Sequence, residues 1–66
     1  MQSFSKRLKD IMESRGVLQA DLAKKTGITE TTISRYCNGK RIPHIEALVK
    51  IAKALDVPTD LLAGLE

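Results

Sequence analysis

The chain has 66 residues, with eleven Lys and Arg against eight Asp and Glu, a formal charge of +3 and an isoelectric point near 9.3. That length makes one domain, residues 1–66, too small to enclose a substrate cleft and a large core together. A single cysteine excludes an internal disulfide, and one cysteine with one histidine is too few soft ligands for a zinc site.

No apolar run approaches the ~20 residues needed to cross a bilayer, and Met1 is followed by a polar segment rather than a secretory signal. The expectation is therefore a soluble, cytoplasmic domain without metal or cofactor. Hydrophobic residues make up 42% of the chain, but Phe4 and Tyr36 are its only benzenoid rings. A core of Leu, Ile and Ala between short helices fits that composition, and the predicted class is all-α with five helices.

Apolar residues recur at helical spacing between turn signals. Phe4, Leu8, Ile11 and Met12 line one face of a first helix, opened by Ser3 or Ser5 and closed at Gly16. Leu18 leads into a second helix whose Leu22 and Ala23 face inward, with Lys24 and Lys25 set favourably against the dipole at its end. Gly27 turns the chain. Thr29 is placed to cap a third helix, with Ile28 before it and Ile33 at the fourth helical position forming a hydrophobic staple. Asn38-Gly39 ends that helix, and Pro43 delays a fourth, with Ile45, Leu48, Ile51, Ala52 and Leu55 inward. Asp56 ends it without a glycine. A last short helix begins at Pro58 or Thr59 and buries some of Leu61, Leu62 and Leu65, with Leu65 the most exposed.

The segment from Gln19 to Asn38, QADLAKKTGITETTISRYCN, has the spacing of a helix-turn-helix. Ala23 lets a second helix cross close by, Gly27 takes the positive φ that ends the first, and Ile33 fills the crevice between them. Stepping 100° per residue along the third helix puts Ile33, Tyr36 and Cys37 on one side and Thr31, Ser34, Arg35 and Asn38 on the other. A polar helix held outward by such a corner is suited to the major groove of DNA. Arg35 can donate two bonds to O6 and N7 of guanine, and Thr31 can offer its methyl to thymine or its hydroxyl to a base edge. Glu30, at the first helical position, either accepts from cytosine N4 or only favours the helix N-terminus.

Phosphate contacts should flank the base contacts and set the register. Gln19 opens the second helix where it would meet the backbone. Beyond the recognition helix, the amides around Asn38 and Gly39 and the side chains of Lys40 and Arg41 would follow the sugar-phosphate chain, the alternative for the two cations being a solvated loop charge; His44 beside Pro43 is either a weak helix cap or a phosphate neighbour. No acid lies between Glu30 and Glu46 to offset this stretch.

From about Phe4 to Leu62 the chain resembles the Cro and C1 type helix-turn-helix domain of phage repressors and related bacterial regulators. The resemblance rests on Gln19 to Asn38, on the GKRIP that follows, and on IEALVKIAKALDVPTDLL. It implies a five-helix domain whose third helix reads double-stranded DNA as half of a two-fold dimer on a palindromic operator. It assigns base contact to Glu30, Thr31 and Arg35, with Thr32 and Ser34 secondary, and phosphate contact to Gln19, Lys40 and Arg41.

Three features depart from that pattern. Met12 and Cys37 stand where several phage repressors pair an Arg with a Glu, so a sulfur-rich packing contact is expected in place of an ion pair. Asp56 stands where glycine commonly closes the fourth helix, and His44 where Ser or Thr often caps. Two copies would read half-sites ~34 Å apart. Leu61, Leu62 and Leu65 either close the monomer's own core or contribute to the pairing surface.

A second reading keeps the fold but makes it a protein-interaction module or antitoxin-type adaptor without DNA contact. Such a face would carry aromatic or large aliphatic anchors, whereas Thr31, Ser34, Arg35 and Asn38 are small or polar. No catalytic triad, glycine-rich phosphate loop or carboxylate pair can be assembled around the one histidine, which argues against an enzyme.

Overall fold

Leu8, Leu22, Ile33, Ile51, Leu55 and Leu62 come from five different segments of the chain and are all at most 2% exposed. They belong to one cluster, and each such side chain contributes roughly 1.5–3 kcal/mol by leaving water. The segments are helices α1 (Phe4–Arg15), α2 (Gln19–Thr26), α3 (Glu30–Cys37), α4 (Ile45–Leu55) and α5 (Thr59–Ala63). The computed structural model describes residues 4–64, and no strand occurs among them. Helix α4 packs against α2, α5 and α1, while α1 also meets α3 and α5. Helix α3 is therefore backed by α1 and α2 on one side only.

The helix ends follow local chemistry. Helix α1 closes with Gly16 at positive φ; its amide donates to Glu13 O at 3.2 Å, and the Val17 amide donates to Met12 O at 2.9 Å, the paired bonds of a Schellman ending. The same pair closes α4, from the Asp56 amide to Lys53 O at 3.1 Å and from Val57 to Ala52 O at 3.0 Å. Here the left-handed residue is Asp56, at φ 58° and ψ 47°. Aspartate thus takes the glycine conformation rather than ending the helix differently. The Asp56 carbonyl accepts from Arg15 Nη2 at 3.4 Å, tying α4 to the end of α1.

Helices α1 and α3 are joined by the expected sulfur contact. Cys37 Sγ donates to Met12 Sδ at 3.8 Å, and both side chains are buried. Burial raises the Cys37 thiol above its ordinary pKa, partly opposed by Lys9, which keeps it neutral and unreactive. Two turns earlier on α1, Phe4 meets Tyr36 edge to face with centroids 6.2 Å apart, the geometry the ring quadrupole favours. Arg7, on the same helix, donates from Nη1 to Leu61 O at 3.3 Å. A Cβ at Gly64 would come within 2.7 Å of Arg7 Nε, so that side chain would have to shift to admit one.

Ile45 is 67% exposed rather than inward. It opens α4 about 90° around the helix from the centre of the buried stripe, counting 100° per residue. Ala47, unmarked by the sequence reading, is buried in its place. Ser5 lies inside α1 rather than capping it, while Ser3, the other candidate cap, is outside the described residues. Leu62 is buried and Leu61 half-buried in the monomer itself; Leu65 lies outside the described residues.

Replacing Asp56 by glycine should raise stability by about 1 kcal/mol, since a left-handed backbone is costly for an L-residue and a carboxylate at a helix C-terminus is unfavourable. Urea unfolding would read this as a higher midpoint at unchanged slope. The sulfur pair calls for a double-mutant cycle. Met12→Arg alone should cost about 3–5 kcal/mol by burying an unpaired charge, and adding Cys37→Glu should recover a coupling above ~1 kcal/mol.

Candidate nucleic-acid interface

The corner that presents α3 is closed by three neighbouring residues. Gly27 sits at φ 76° and its amide donates to Ala23 O at 2.9 Å; few other residues adopt that backbone without strain. Just before it, the Thr26 hydroxyl donates to Leu22 O at 2.8 Å and accepts from the Ile28 amide at 3.2 Å. One side chain thereby bonds back to the last turn of α2 and satisfies the amide that leads into α3. Thr29 caps α3, its Oγ1 accepting from the Thr32 amide at 3.3 Å and donating to Thr32 Oγ1 at 2.8 Å. Ile28 packs against the core that contains Ile33, the two ends of the expected staple.

The sequence reading missed Thr26. Its signal is a hydroxyl-bearing residue four after Leu22 and one before the glycine, where it can bond back to the last turn. Helix α2 begins less firmly. Leu18 holds its N-cap without a side-chain oxygen, so only the reciprocal half of a capping box forms, from the Leu18 amide to Asp21 Oδ2 at 3.4 Å.

With the corner closed, Ile33, Tyr36 and Cys37 are buried, while Glu30, Thr31, Arg35 and Asn38 are exposed and Ser34 half-buried. Gln19, Glu30, Thr31, Ser34 and Arg35 together line an open surface depression of about 490 Å³. The start of α2 and the outer face of α3 therefore form one continuous polar surface. Thr32 stands somewhat apart, half-buried, its hydroxyl engaged with the cap. Asn38 donates from Nδ2 to Ser34 Oγ at 3.3 Å, which orients both groups along the helix.

Lys40, Arg41 and His44 are exposed beyond the end of α3 and do not line the depression. His44 occupies the N-cap of α4, but its ring makes no cap bond. The backbone part of the expected phosphate contact needs correction. The amides of Asn38, Gly39 and Lys40 donate to Ser34 O, Tyr36 O and Arg35 O at 3.0, 3.4 and 2.9 Å. Closing α3 consumes them, so an incoming phosphate would meet side chains there instead. Among the described residues, Glu30, Arg35, Lys40 and Arg41 take part in no ion pair; the one bridge is Lys6–Asp10 on α1, at 3.1 Å.

A five-helix domain with a closed corner and a polar second helix standing outward defines a helix-turn-helix protein. This chain belongs to that family: residues 8–62 match the family described as Helix-turn-helix. It is 37% identical over 61 residues, 92% of its length and 54% of the relative's, to the cryptic phage CTXphi transcriptional repressor RstR of Vibrio cholerae. It is 34% identical over 62 residues, 94% of its length and 49% of the relative's, to the HTH-type transcriptional regulator ImmR of Bacillus subtilis. The crystal structure of the restriction-modification controller protein C.AhdI from Aeromonas hydrophila is similar with a TM-score of 0.86, at 27% identity over 89% of each chain. The chain spans about half the length of the curated relatives it matches. Those relatives are named as regulators and not as enzymes.

Thr26→Val keeps the shape of the side chain and removes the bridging hydroxyl. It should lower stability by about 1–2 kcal/mol, the cost of leaving the partly buried Ile28 amide unpaired, measured as the shift in urea midpoint against the parent.

Proposed function

We propose that this chain is the DNA-reading domain of a transcriptional regulator, a repressor, and that it sets α3 into the major groove of double-stranded DNA. The observation that carries the reading is the shared depression formed by Gln19 with Glu30, Thr31, Ser34 and Arg35. It unites a polar side chain at a helix start, suited to a phosphate oxygen, with the groups suited to base edges. No aromatic or large aliphatic side chain interrupts that surface, which disfavours a protein-binding use of the same face.

In this reading Arg35 and Thr31 read bases, with Arg35 directed at guanine O6 and N7. Glu30 accepts from cytosine N4, and Ser34, oriented by Asn38, and Thr32 are secondary. Gln19 holds phosphate on one flank; Asn38, Lys40, Arg41 and His44 hold it on the other. So few base contacts give modest affinity per copy, and two copies on a palindrome supply the rest, their half-sites ~34 Å apart. The chain's +3 charge favours encounter with the polyanion but carries no sequence information.

Selection of bound fragments from random duplex DNA should return a two-fold symmetric consensus, and a failure to enrich any sequence at low salt would overturn the reading. On the selected site, Arg35→Ala should cost ~1–3 kcal/mol and relax preference at one base pair per half-site. Lys40→Ala should instead weaken all sequences alike and reduce the salt slope by about one.

A further inference from the structure

Three lysines from two helices surround a second surface depression, one that the DNA-reading face does not use. Lys25 and Thr26 at the end of α2, with Lys50, Lys53 and Ala54 on α4, line a hollow of about 440 Å³. The lysines are exposed, while Thr26 and Ala54 are half-buried. Lys50 and Lys53, three residues apart, share a face of α4 with ~5–6 Å between their Cβ atoms. Lys25 faces them across a helix pair whose axes stand ~8–10 Å apart. The hollow thus gathers as much positive charge as the formal net charge of the whole chain, +3.

Helix-end electrostatics accounts for part of this set. Lys25 and Lys53 lie in the last turns of α2 and α4, where the dipole favours a cation. Lys50 lies in mid-helix and owes nothing to that effect. Nor do neighbouring acids absorb the charge. Asp21 and Glu46 precede Lys25 and Lys50 by four residues, the spacing of a helical ion pair, yet neither pair closes: the one bridge among the described residues is Lys6–Asp10. The Asp21 carboxylate accepts from the Leu18 amide instead, at 3.4 Å. Like charges so close repel one another, and an anionic partner removes that cost.

The place of the hollow in the fold narrows what that partner is. Among the described residues α4 packs on α2, α5 and α1 but not on α3, so α2 separates it from the recognition helix. Lys25 lies ~9 Å along α2 from Gln19 and about 120° around it, and the two depressions share no residue. A duplex entered by α3 therefore leaves these lysines uncovered, and a second duplex presents a convex flank that does not enter a hollow between two helices. A compact anion finds no fixed donor there. The Thr26 hydroxyl donates to Leu22 O, and the amides of Gly27, Ile28, Asp56 and Val57 are bonded within the chain, which leaves only flexible ammonium groups. Carboxylates strung along a peptide match the arrangement: alternate side chains of an extended segment stand ~7 Å apart on one side, the scale on which the lysines are spread.

We propose that this hollow docks an acidic segment of another protein, its Asp or Glu carboxylates paired with Lys25, Lys50 and Lys53, and that it does so while α3 occupies DNA. The second half rests on the DNA-reading function proposed above; the docking itself does not.

The probe is a short fluorescent peptide of alternating glutamate and serine, titrated with the chain at low salt, beside a reference peptide carrying glutamine for glutamate. The glutamate peptide should bind both the free chain and the chain saturated with its selected duplex, and the glutamine peptide neither. Lys50→Gln/Lys53→Gln should weaken the glutamate peptide about tenfold, whereas Lys40→Gln/Arg41→Gln, which removes the same charge elsewhere, should weaken it less than about threefold. On the duplex the order should reverse, with Lys40→Gln/Arg41→Gln the weaker binder. Equal loss of peptide affinity in the two variants would reduce the effect to net charge and overturn the proposal. So would binding of the glutamine peptide, no binding of the glutamate peptide, or its displacement by the duplex, which would put it on the α3 face. A loss of duplex affinity in Lys50→Gln/Lys53→Gln as large as in Lys40→Gln/Arg41→Gln would assign the hollow to DNA and overturn it as well. Failure of the parent on every duplex would strike the proposed function alone, since the titrations of the free chain still decide the docking.

Discussion

The constraint on which the rest of this structure depends is the corner between α2 and α3. Eight residues of helix cannot hold a shape in water on their own, yet α3 must be firm while leaving most of its polar side free of protein. Gly27 supplies the backbone reversal, Thr26 bonds back to the last turn of α2 and satisfies the amide after the turn, and Thr29 starts the next helix. Ile33, fully buried, then pins α3 from beneath. These contacts use little side-chain volume, which is why two helices can approach closely without covering the outer face.

The remaining helices serve that corner. Helix α4 backs α2, and α1 backs α3 through the Met12–Cys37 and Phe4–Tyr36 contacts. Among the described residues the core contains no buried charged or polar residue. Two sulfurs at the α1–α3 contact fit that character, since no charge has to be desolvated there. A cost appears at Asp56, where a side chain occupies a backbone conformation that glycine adopts freely.

The outer surface has been left with polar groups whose own hydrogen-bonding needs are met locally. Asn38 bonds Ser34, and Thr32 bonds Thr29, so these groups are oriented without being sequestered. The amides at the end of α3 turn inward to its last carbonyls, making the following basic residues dependent on their side chains for any contact with an anion. Among the described residues Arg35 and Glu30, toward opposite ends of the helix, take part in no ion pair. That arrangement offers a donor and an acceptor to a partner at little reorganisation cost.

Much of this was legible in the chain. The periodicity of Leu8 and Met12, of Ile33, Tyr36 and Cys37, and of Leu48, Ile51, Ala52 and Leu55 marks the core faces, because a helix maps sequence spacing directly onto direction. Gly27, Thr29 and Pro43 mark boundaries for reasons internal to a few residues, and the outward set Thr31, Arg35 and Asn38 follows from the same 100° step. What the sequence could not decide depends on neighbours distant in the chain or on where a helix starts. Ile45 reads as core until the first turn of α4 proves to lie at the edge of the buried stripe. The amides after Asn38 read as free until the ending of α3 engages them. Thr26 reads as one more polar residue until Leu22 and Ile28 are brought to its hydroxyl. Local spacing determines which side of a helix is apolar, while only the packed chain determines which polar groups are already satisfied, since that depends on distances between atoms that the order of residues does not contain.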